Sequence, residues 1–310
     1  MEEKLSIIIP VYNESENIKP LFEEIKDAIQ NFEVIFVDDG STDETWQRIK
    51  ELSYHDPRVK GVRLSRNFGQ TQAIKAGINE ASSHIIITMD GDMQNDPCDI
   101  PHLLKKMEEG FDVVSGWRKN RKDPFLTRIL PSKIANILIS FVTGIKLKDY
   151  GCTLKVYKKE YLEKIEVYGE MHRFMPALCH YLGARIAEIE VNHRPRIRSS
   201  SKYGFGRTFK VLFDLIMVRF FGGMINKPIY LFGGVSFFLF SISIIFFLIT
   251  LYNKWYNHIF VKDQPLFLVA IFISLVAVEM MMIGIIAEIL TRVYYRDKVE
   301  YIVKEKTYEK

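Results

Sequence analysis

From residue 5 to residue 116, short apolar runs alternate with longer stretches whose apolar positions recur every three or four residues. The runs at 5–11, 33–37, 59–64, 85–89 and 112–116 are rich in Ile and Val and do not alternate with polar residues, the pattern of strands buried on both faces. Between the first two, Ile18, Leu21, Phe22, Ile25 and Ile29 keep helical spacing, with Asn13 or Ser15 placed to cap that helix. Further helices are predicted from Ser41 or Thr42 to about 54, up to 81, and over about 99–109, with Gly40 permitting a tight turn before the second. Strands alternating with helices imply a mostly parallel α/β sheet of Rossmann-like type, with helices on both faces and ligands at the carboxyl ends of its strands.

A different pattern takes over after Arg219. The span 228–253 holds no charged residue, and the span 265–290 is interrupted only by Glu279 and Glu288. Each is long enough to cross a bilayer as a helix. A transmembrane hairpin over 228–292 is therefore expected, with spans of about 228–252 and 265–290. Trp255 and Tyr256 anchor the short loop 254–264 at the interface. Glu279, mid-span, is expected to face a helix or another subunit, which makes a homo-oligomer through these helices a candidate assembly. Glu288 is expected near the interface, and Gly284 and Ala287 to allow close helix contact. The stretches 124–143 and 205–221 are apolar with basic interruptions and read as interface helices. The expected organisation is a domain over 1–204, an amphipathic segment over 205–227, the hairpin, and a tail over 293–310.

The overall net charge of +4 and the 13% aromatic content are unremarkable. The start, MEEKLSIIIP, enters a strand directly and reads as lacking a secretory signal, so both termini are expected in the cytoplasm. Three scattered cysteines suit a reducing compartment. No nucleic-acid partner is expected.

The chemistry gathers at the strand ends. Tyr12, Glu14, Asp38, Asp39, Arg66, Asp90, Asp92 and Arg118 all follow predicted strands and would share one rim. Asp90 and Asp92, one glycine apart at the end of an Ile-rich run, can converge, because residues i and i+2 of a strand point the same way. Converging carboxylates favour a hard cation, Mg²⁺ or Mn²⁺, whose shell is completed by water and substrate phosphates. No G-x-G-x-x-G follows a strand and no P-loop motif occurs, so dinucleotide dehydrogenases and P-loop NTPases are unsupported. His172, His180 and His193 are too dispersed for a metal triad.

Four ordered blocks, SIIIPVYNESENI (6–18), VIFVDDGSTDET (34–45), RNFGQTQA (66–73) and MDGDMQNDP (89–97), resemble family 2 glycosyltransferases of GT-A fold. With the membrane pair, the resemblance narrows to the polyprenyl-phosphate glycosyltransferases, the group of bactoprenol glucosyltransferases and dolichol-phosphate mannose synthases. It implies an inverting enzyme of the cytoplasmic membrane face that moves a sugar from a nucleotide sugar to a polyprenyl phosphate. UDP-glucose and undecaprenyl phosphate are the leading substrates; GDP-mannose, UDP-N-acetylglucosamine or a UDP-aminoarabinose type donor is the alternative. A non-catalytic scaffold binding nucleotide sugars or lipids is the reading from a different class.

Residue by residue, the resemblance implies that Pro10, Tyr12, Glu14, Asp38 and Asp39 bind the nucleotide, with Asp90 and Arg118 on the nucleotide sugar. Asp90, Asp92 and Gln94 would surround the divalent cation. Asp149 would be the catalytic or acceptor-orienting carboxylate, acting with Asp92, Arg196 and Lys202. Arg121, Arg196, Ser201 and Lys202 would take the acceptor phosphate. Ser199 stands where the family's R-x-x-G-x-S-K element has glycine. Six Lys or Arg and no acid between 191 and 213 fit either a phosphate clamp or a segment drawn to anionic head groups.

Overall fold

The computed structural model describes residues 4–119, 136, 139–140, 143–167, 169–195 and 228–295. They form two compact units, one holding the described residues up to Pro195 and the other those from Pro228.

In the first unit, β1 (Leu5–Val11), β2 (Phe32–Asp38), β3 (Val59–Arg63), β4 (Ile85–Thr88), β5 (Val113–Trp117), β6 (Lys155–Lys158) and β7 (Ile186–Glu190) build one seven-stranded sheet, ordered β3-β2-β1-β4-β6-β5-β7. β1 lies parallel to β2, with Val11 opposite Asp38, and to β4, with Ile8 opposite Thr88. β6 runs antiparallel between β4 and β5, which brings its first residue, Lys155, opposite Thr88 at the carboxyl end of the parallel strands. The helices are α1 (Ile18–Ala28), α2 (Thr45–His55), α3 (Gln70–Glu80), α4 (Ile100–Glu108), α5 (Lys159–Leu162) and α6 (Met175–Tyr181).

Strand alternation divides the core in two. Ile7, Ile9, Val34 and Phe36 face α1 and α4 through Leu21, Phe22, Ile25 and Leu103, while Ile8, Ile35 and Val37 face α3 and α6 through Ala73, Ile74, Ile78 and Leu178. Helices therefore cover both faces, as the pattern of apolar runs requires. At the opposite end from the rim, the buried Glu33 carboxylate accepts from Ser6 Oγ (2.6 Å) and the Ser82 backbone N–H (2.7 Å) and pairs with Lys4 and Lys60. It fastens the starts of β1 and β2 to the end of α3.

Two features differ from the sequence expectation. β6 and β7 are short and charged, KVYK and IAEIE, so neither carries the continuous apolar run that marks β1 or β2. The caps also differ. Asn17, whose side chain makes no capping bond to the helix, precedes α1, and Glu44 precedes α2. Asn13 instead accepts from the Thr42 N–H (2.8 Å), and Ser41 Oγ accepts from the Asn13 N–H (2.9 Å), so these residues lace the two loops together.

The second unit is an antiparallel hairpin of α7 (Pro228–Tyr256) and α8 (Pro265–Tyr295), both long and apolar enough to cross a membrane. Each helix runs a few residues beyond its apolar span, and Trp255 and Tyr256 belong to α7. A seam of small residues joins them. Ser236 Oγ donates to Ala277 O (2.6 Å) and Ser243 Oγ to Ala270 O (2.8 Å). A Cβ added at Gly284 would lie 3.0 Å from Phe232 Cβ. The seven-residue repeat of 236, 243 and 250 against 270, 277 and 284 is that of a left-handed helix pair. Glu279, two residues from Ala277, points away from this seam and is exposed, so it does not face α7. Gly284→Leu is expected to wedge the helices apart at a cost of about 1–3 kcal/mol. It should lower the thermal midpoint of the purified full chain more than Ala287→Leu does; equal midpoints would contradict a close-packed seam.

Candidate active site

The carboxyl edge of the sheet places the two carboxylates of the D-G-D turn. Met89 N–H bonds to Ile8 O (3.1 Å), after which the chain turns over the end of β1. A Cβ at Gly91 would fall 2.6 Å from Val11 Cγ1, so only glycine lets the turn lie this close. Met93 completes the turn with a left-handed φ of 60°, a conformation that non-glycine residues adopt mainly where the surroundings hold them.

Asp90 is held at its side chain and at its backbone. Gln70 Nε2, at the start of α3, donates to its Oδ1 (2.7 Å), and its own N–H donates to Asn95 Oδ1 (3.2 Å), which also accepts from Thr153 Oγ1 (3.0 Å). Asp92, 8% exposed, accepts from the Gln94 N–H (3.2 Å). Burial, followed by the charge of Asp92, pushes the Asp90 carboxyl up to about 6, against the pull of Thr153, Arg118 and Gln70. Two enclosed carboxylates repelling each other form a site that a divalent cation would relieve, so the residues fit one. Among the described residues, no group of three or more His, Cys, Asp or Glu gathers as a cage. Two carboxylates with open positions suit Mg²⁺ or Mn²⁺ carrying phosphate oxygens.

Next to this turn lies a buried ion pair. Arg118, just past β5, donates from Nε to Asp149 Oδ2 (2.7 Å) and from Nη2 to Oδ1 (3.0 Å), a bidentate fork. The Gly151 N–H also donates to Oδ1 (3.1 Å), and Glu188 on β7 accepts the N–H groups of Lys148 and Asp149. Asp149 is buried, its side chain 5% exposed, and Arg118 nearly so at 13% exposed. Burial opposes charge on Arg118, but Asp149, and more weakly Asp90, raises its pKa overall, so it is a permanent cation. Asp149 is therefore held by a fork and by the backbone N–H groups of Arg118 (3.3 Å) and Gly151, an arrangement that orients rather than one that favours proton uptake.

On the other side of the rim, Pro10 near the end of β1 and Tyr12 and Glu14 just after it are all partly buried. Glu14 accepts from Asn17 Nδ2 (2.6 Å). Asp38 is fully buried, accepts from the Ser41 N–H (2.9 Å) and pairs with Arg63 (3.2 Å). Asp39 takes the N–H groups of Phe68 (2.7 Å) and Gly69 (2.9 Å), and burial raises its pKa. Gly40, at a φ of 72°, packs so tightly that a Cβ would stand 2.5 Å from the Arg66 carbonyl carbon. The acidic turn and the loop 65–69 are thus one assembly. Arg66 stacks its guanidinium over Phe68, 4.6 Å from the ring centre.

Arg121, Arg196, Ser201 and Lys202 lie outside the described residues. Just before Arg196 in sequence, Arg194 N–H bonds to Gln94 O (3.0 Å) and its guanidinium pairs with Glu24 (2.7 Å) and Asp96 (2.8 Å). Asn192 is bonded to Asp99 (2.7 Å). The segment leading to the basic stretch is fastened to the carboxylate turn. The sequence reading missed Gln70, Asn95 and Arg194. The first two lie inside the motif blocks RNFGQTQA and MDGDMQNDP, and that position was the available signal.

The fold and its rim define a GT-A transferase domain. The structure is similar to glucosyl-3-phosphoglycerate synthase from Mycobacterium tuberculosis in complex with Mn²⁺, UDP and phosphoglyceric acid, at a TM-score of 0.57 and 18% identity over 70% of this chain and 78% of that one. A complex of the same synthase with Mg²⁺ and UDP gives a TM-score of 0.56 at 18% identity, over 70% and 79% of the two chains. In sequence, Glycosyl transferase family 2 matches residues 6–166. Dodecaprenyl-phosphate galacturonate synthase of Rhizobium johnstonii is 39% identical over 97% of this chain and 92% of its own length. Undecaprenyl-phosphate 4-deoxy-4-formamido-L-arabinose transferase of Proteus mirabilis is 33% identical over 94% and 89%. The chain belongs to glycosyltransferase family 2, in its polyprenyl-phosphate glycosyltransferase group.

Proposed function

We propose that this protein moves a sugar from a UDP-linked donor to the phosphate of a polyprenyl phosphate, in a single displacement that inverts the anomeric carbon. The carrying observation is the pair Asp90 and Asp92 at the end of β4, beside the buried Arg118–Asp149 fork. Asp90 and Asp92, with Gln94 beside them, would hold Mg²⁺ or Mn²⁺, which supplies Lewis-acid stabilisation of the departing diphosphate when bound. The Mn²⁺ and Mg²⁺ named with UDP in the structural neighbours support that assignment.

Pro10, Tyr12, Glu14 and the assembly around Asp38 and Asp39 form the nucleotide side. Arg118 adds positive charge on the sugar side, and Asp149 fixes its direction. Arg121, Arg196, Ser201 and Lys202 are assigned to the acceptor phosphate. The fastening of Arg194 against Gln94 supports that assignment for Arg196, Ser201 and Lys202, which follow Arg194 closely in sequence. The sequence reading took UDP-glucose as donor. The relatives' names favour testing galacturonate or 4-deoxy-4-formamido-L-arabinose first. The catalytic domain and both termini face the cytoplasm in this reading, where nucleotide sugars are available, and a homo-oligomer would cover the exposed Glu279.

A phosphate monoester is already largely ionised at neutral pH, its second pKa being about 6, so the acceptor needs no strong base. The test is release of UDP by the purified full chain. Release should require a polyprenyl monophosphate and be at least about 100-fold slower with the corresponding polyprenol, whose hydroxyl would need a general base. Equal rates with the two lipids would refute the reading.

A further inference from the structure

Gln70, the first residue of α3, reaches a carboxylate 20 residues further along the chain. Its Nε2 donates to Asp90 Oδ1 at 2.7 Å. An ionised carboxylate only accepts hydrogen bonds, so the amide must turn its NH₂ group toward it. Among the described residues, Thr153 is the other side-chain donor beside Asp90, but it shares its one proton with Asn95 Oδ1 (3.0 Å). The nearby cation, Arg118, has its fork on Asp149. Asp90 is therefore gripped by neutral donors and keeps its charge.

Gln70 is itself held from both sides. The N–H groups of the two residues before it, Phe68 and Gly69, donate to Asp39 (2.7 and 2.9 Å). Thr71, the residue after it, is buried and bonds the His172 ring through Oγ1 (2.8 Å). The His172 N–H donates to the same oxygen (3.4 Å). Asp39 follows β2 and Asp90 follows β4, which flank β1 in the sheet. A strut thus runs over the end of β1 from the nucleotide side to the carboxylate turn, and Gln70 is its last link.

We propose that Gln70 is a positioning residue for the divalent cation: it fixes Asp90 through Oδ1 and leaves the second oxygen, with Asp92, for the metal. The inference rests on the cation assigned above and deepens it. Neutrality is the essential property. A cationic side chain at 70 would also hold Asp90, but it would cancel the charge that attracts the metal. Partners that orient metal ligands in this way are commonly worth 10- to 100-fold in metal affinity.

The test measures Mn²⁺ binding to the purified full chain, without donor or lipid, from the loss of the free-ion electron paramagnetic resonance signal. The binding that Asp92→Asn removes defines the site. Gln70→Met keeps the length but lacks a donor, and should raise the Mn²⁺ dissociation constant about 10- to 100-fold. Its cation-free thermal midpoint should move little, and excess Mn²⁺ should restore its kcat for transfer. Gln70→Lys supplies a donor with a charge and should bind Mn²⁺ more weakly still. A purely structural hydrogen bond predicts the reverse order, with Lys repairing what Met loses.

Three results would overturn the proposal: wild-type Mn²⁺ affinity in Gln70→Met, tighter binding in Gln70→Lys than in Gln70→Met, or a Gln70→Met that unfolds or whose kcat excess Mn²⁺ does not restore. A wild type with no Asp92-dependent Mn²⁺ would instead sink the cation assignment itself.

Discussion

Asp92→Asn should lower transfer to lipid phosphate by at least about 1,000-fold, equivalent to roughly 4 kcal/mol of barrier. The substitution keeps shape and the oxygen that accepts from the Gln94 N–H, but removes the charge that a hard cation needs. It should not unfold the protein. Asp92 is the larger charge partner raising Asp90, so its loss relieves repulsion, and the cation-free thermal midpoint should stay level or rise. A variant that retains activity within tenfold, or wild-type activity that survives EDTA, would remove the cation from the account. A large fall in the midpoint would show instead that Asp92 is structural.

The second large effect concerns Arg118 and Asp149. Breaking a buried ion pair from one side leaves an uncompensated charge, at a cost of about 3–5 kcal/mol. Arg118→Met should therefore destabilise the purified protein strongly, because the buried Asp149 charge loses its cationic fork and is left to neutral donors such as the backbone N–H groups of residues 118 and 151. Replacing both together, by Arg118→Met with Asp149→Leu, should recover much of that stability, since apolar pairs of similar size commonly match a buried ion pair. Activity should not return with it. Asp149→Asn keeps the oxygen facing Gly151 and should reduce kcat at least 100-fold while changing the donor KM little, the split expected of a group that orients for the transition state. If the double variant regains activity along with stability, the pair serves only to hold the loop.

These expectations depend on long-range pairings that one chain's pattern does not display. The D-G-D turn was legible because its cause is local: an apolar strand that stops at two acids one glycine apart. Asp38 and Asp39 were legible as rim residues for the same reason. Their partners were not, because the N–H groups that Asp39 holds come from a loop about 30 residues further on. Arg118 and Asp149 each stood out, but their pairing spans 31 residues and needs an antiparallel strand, β6, too short and too charged to read as one. Asn13 looked like a cap by residue type, yet a φ of 55° turns it toward the next loop. In the hairpin, the repeat of Ser236, Ser243 and Thr250 was present but submerged in uniform apolarity.

The central claim is that the carboxylates at the end of β4 serve transfer of a sugar from a nucleotide to a lipid phosphate. The most direct measurement supplies membranes containing the full chain with undecaprenyl phosphate and a panel of UDP-sugars labelled in the sugar. Label from one donor should enter the organic phase as an acid-labile sugar phosphate, and the signal should vanish with Asp92→Asn. Label that stays in the aqueous phase for every donor, or that reaches the lipid equally well through Asp92→Asn, would contradict the account.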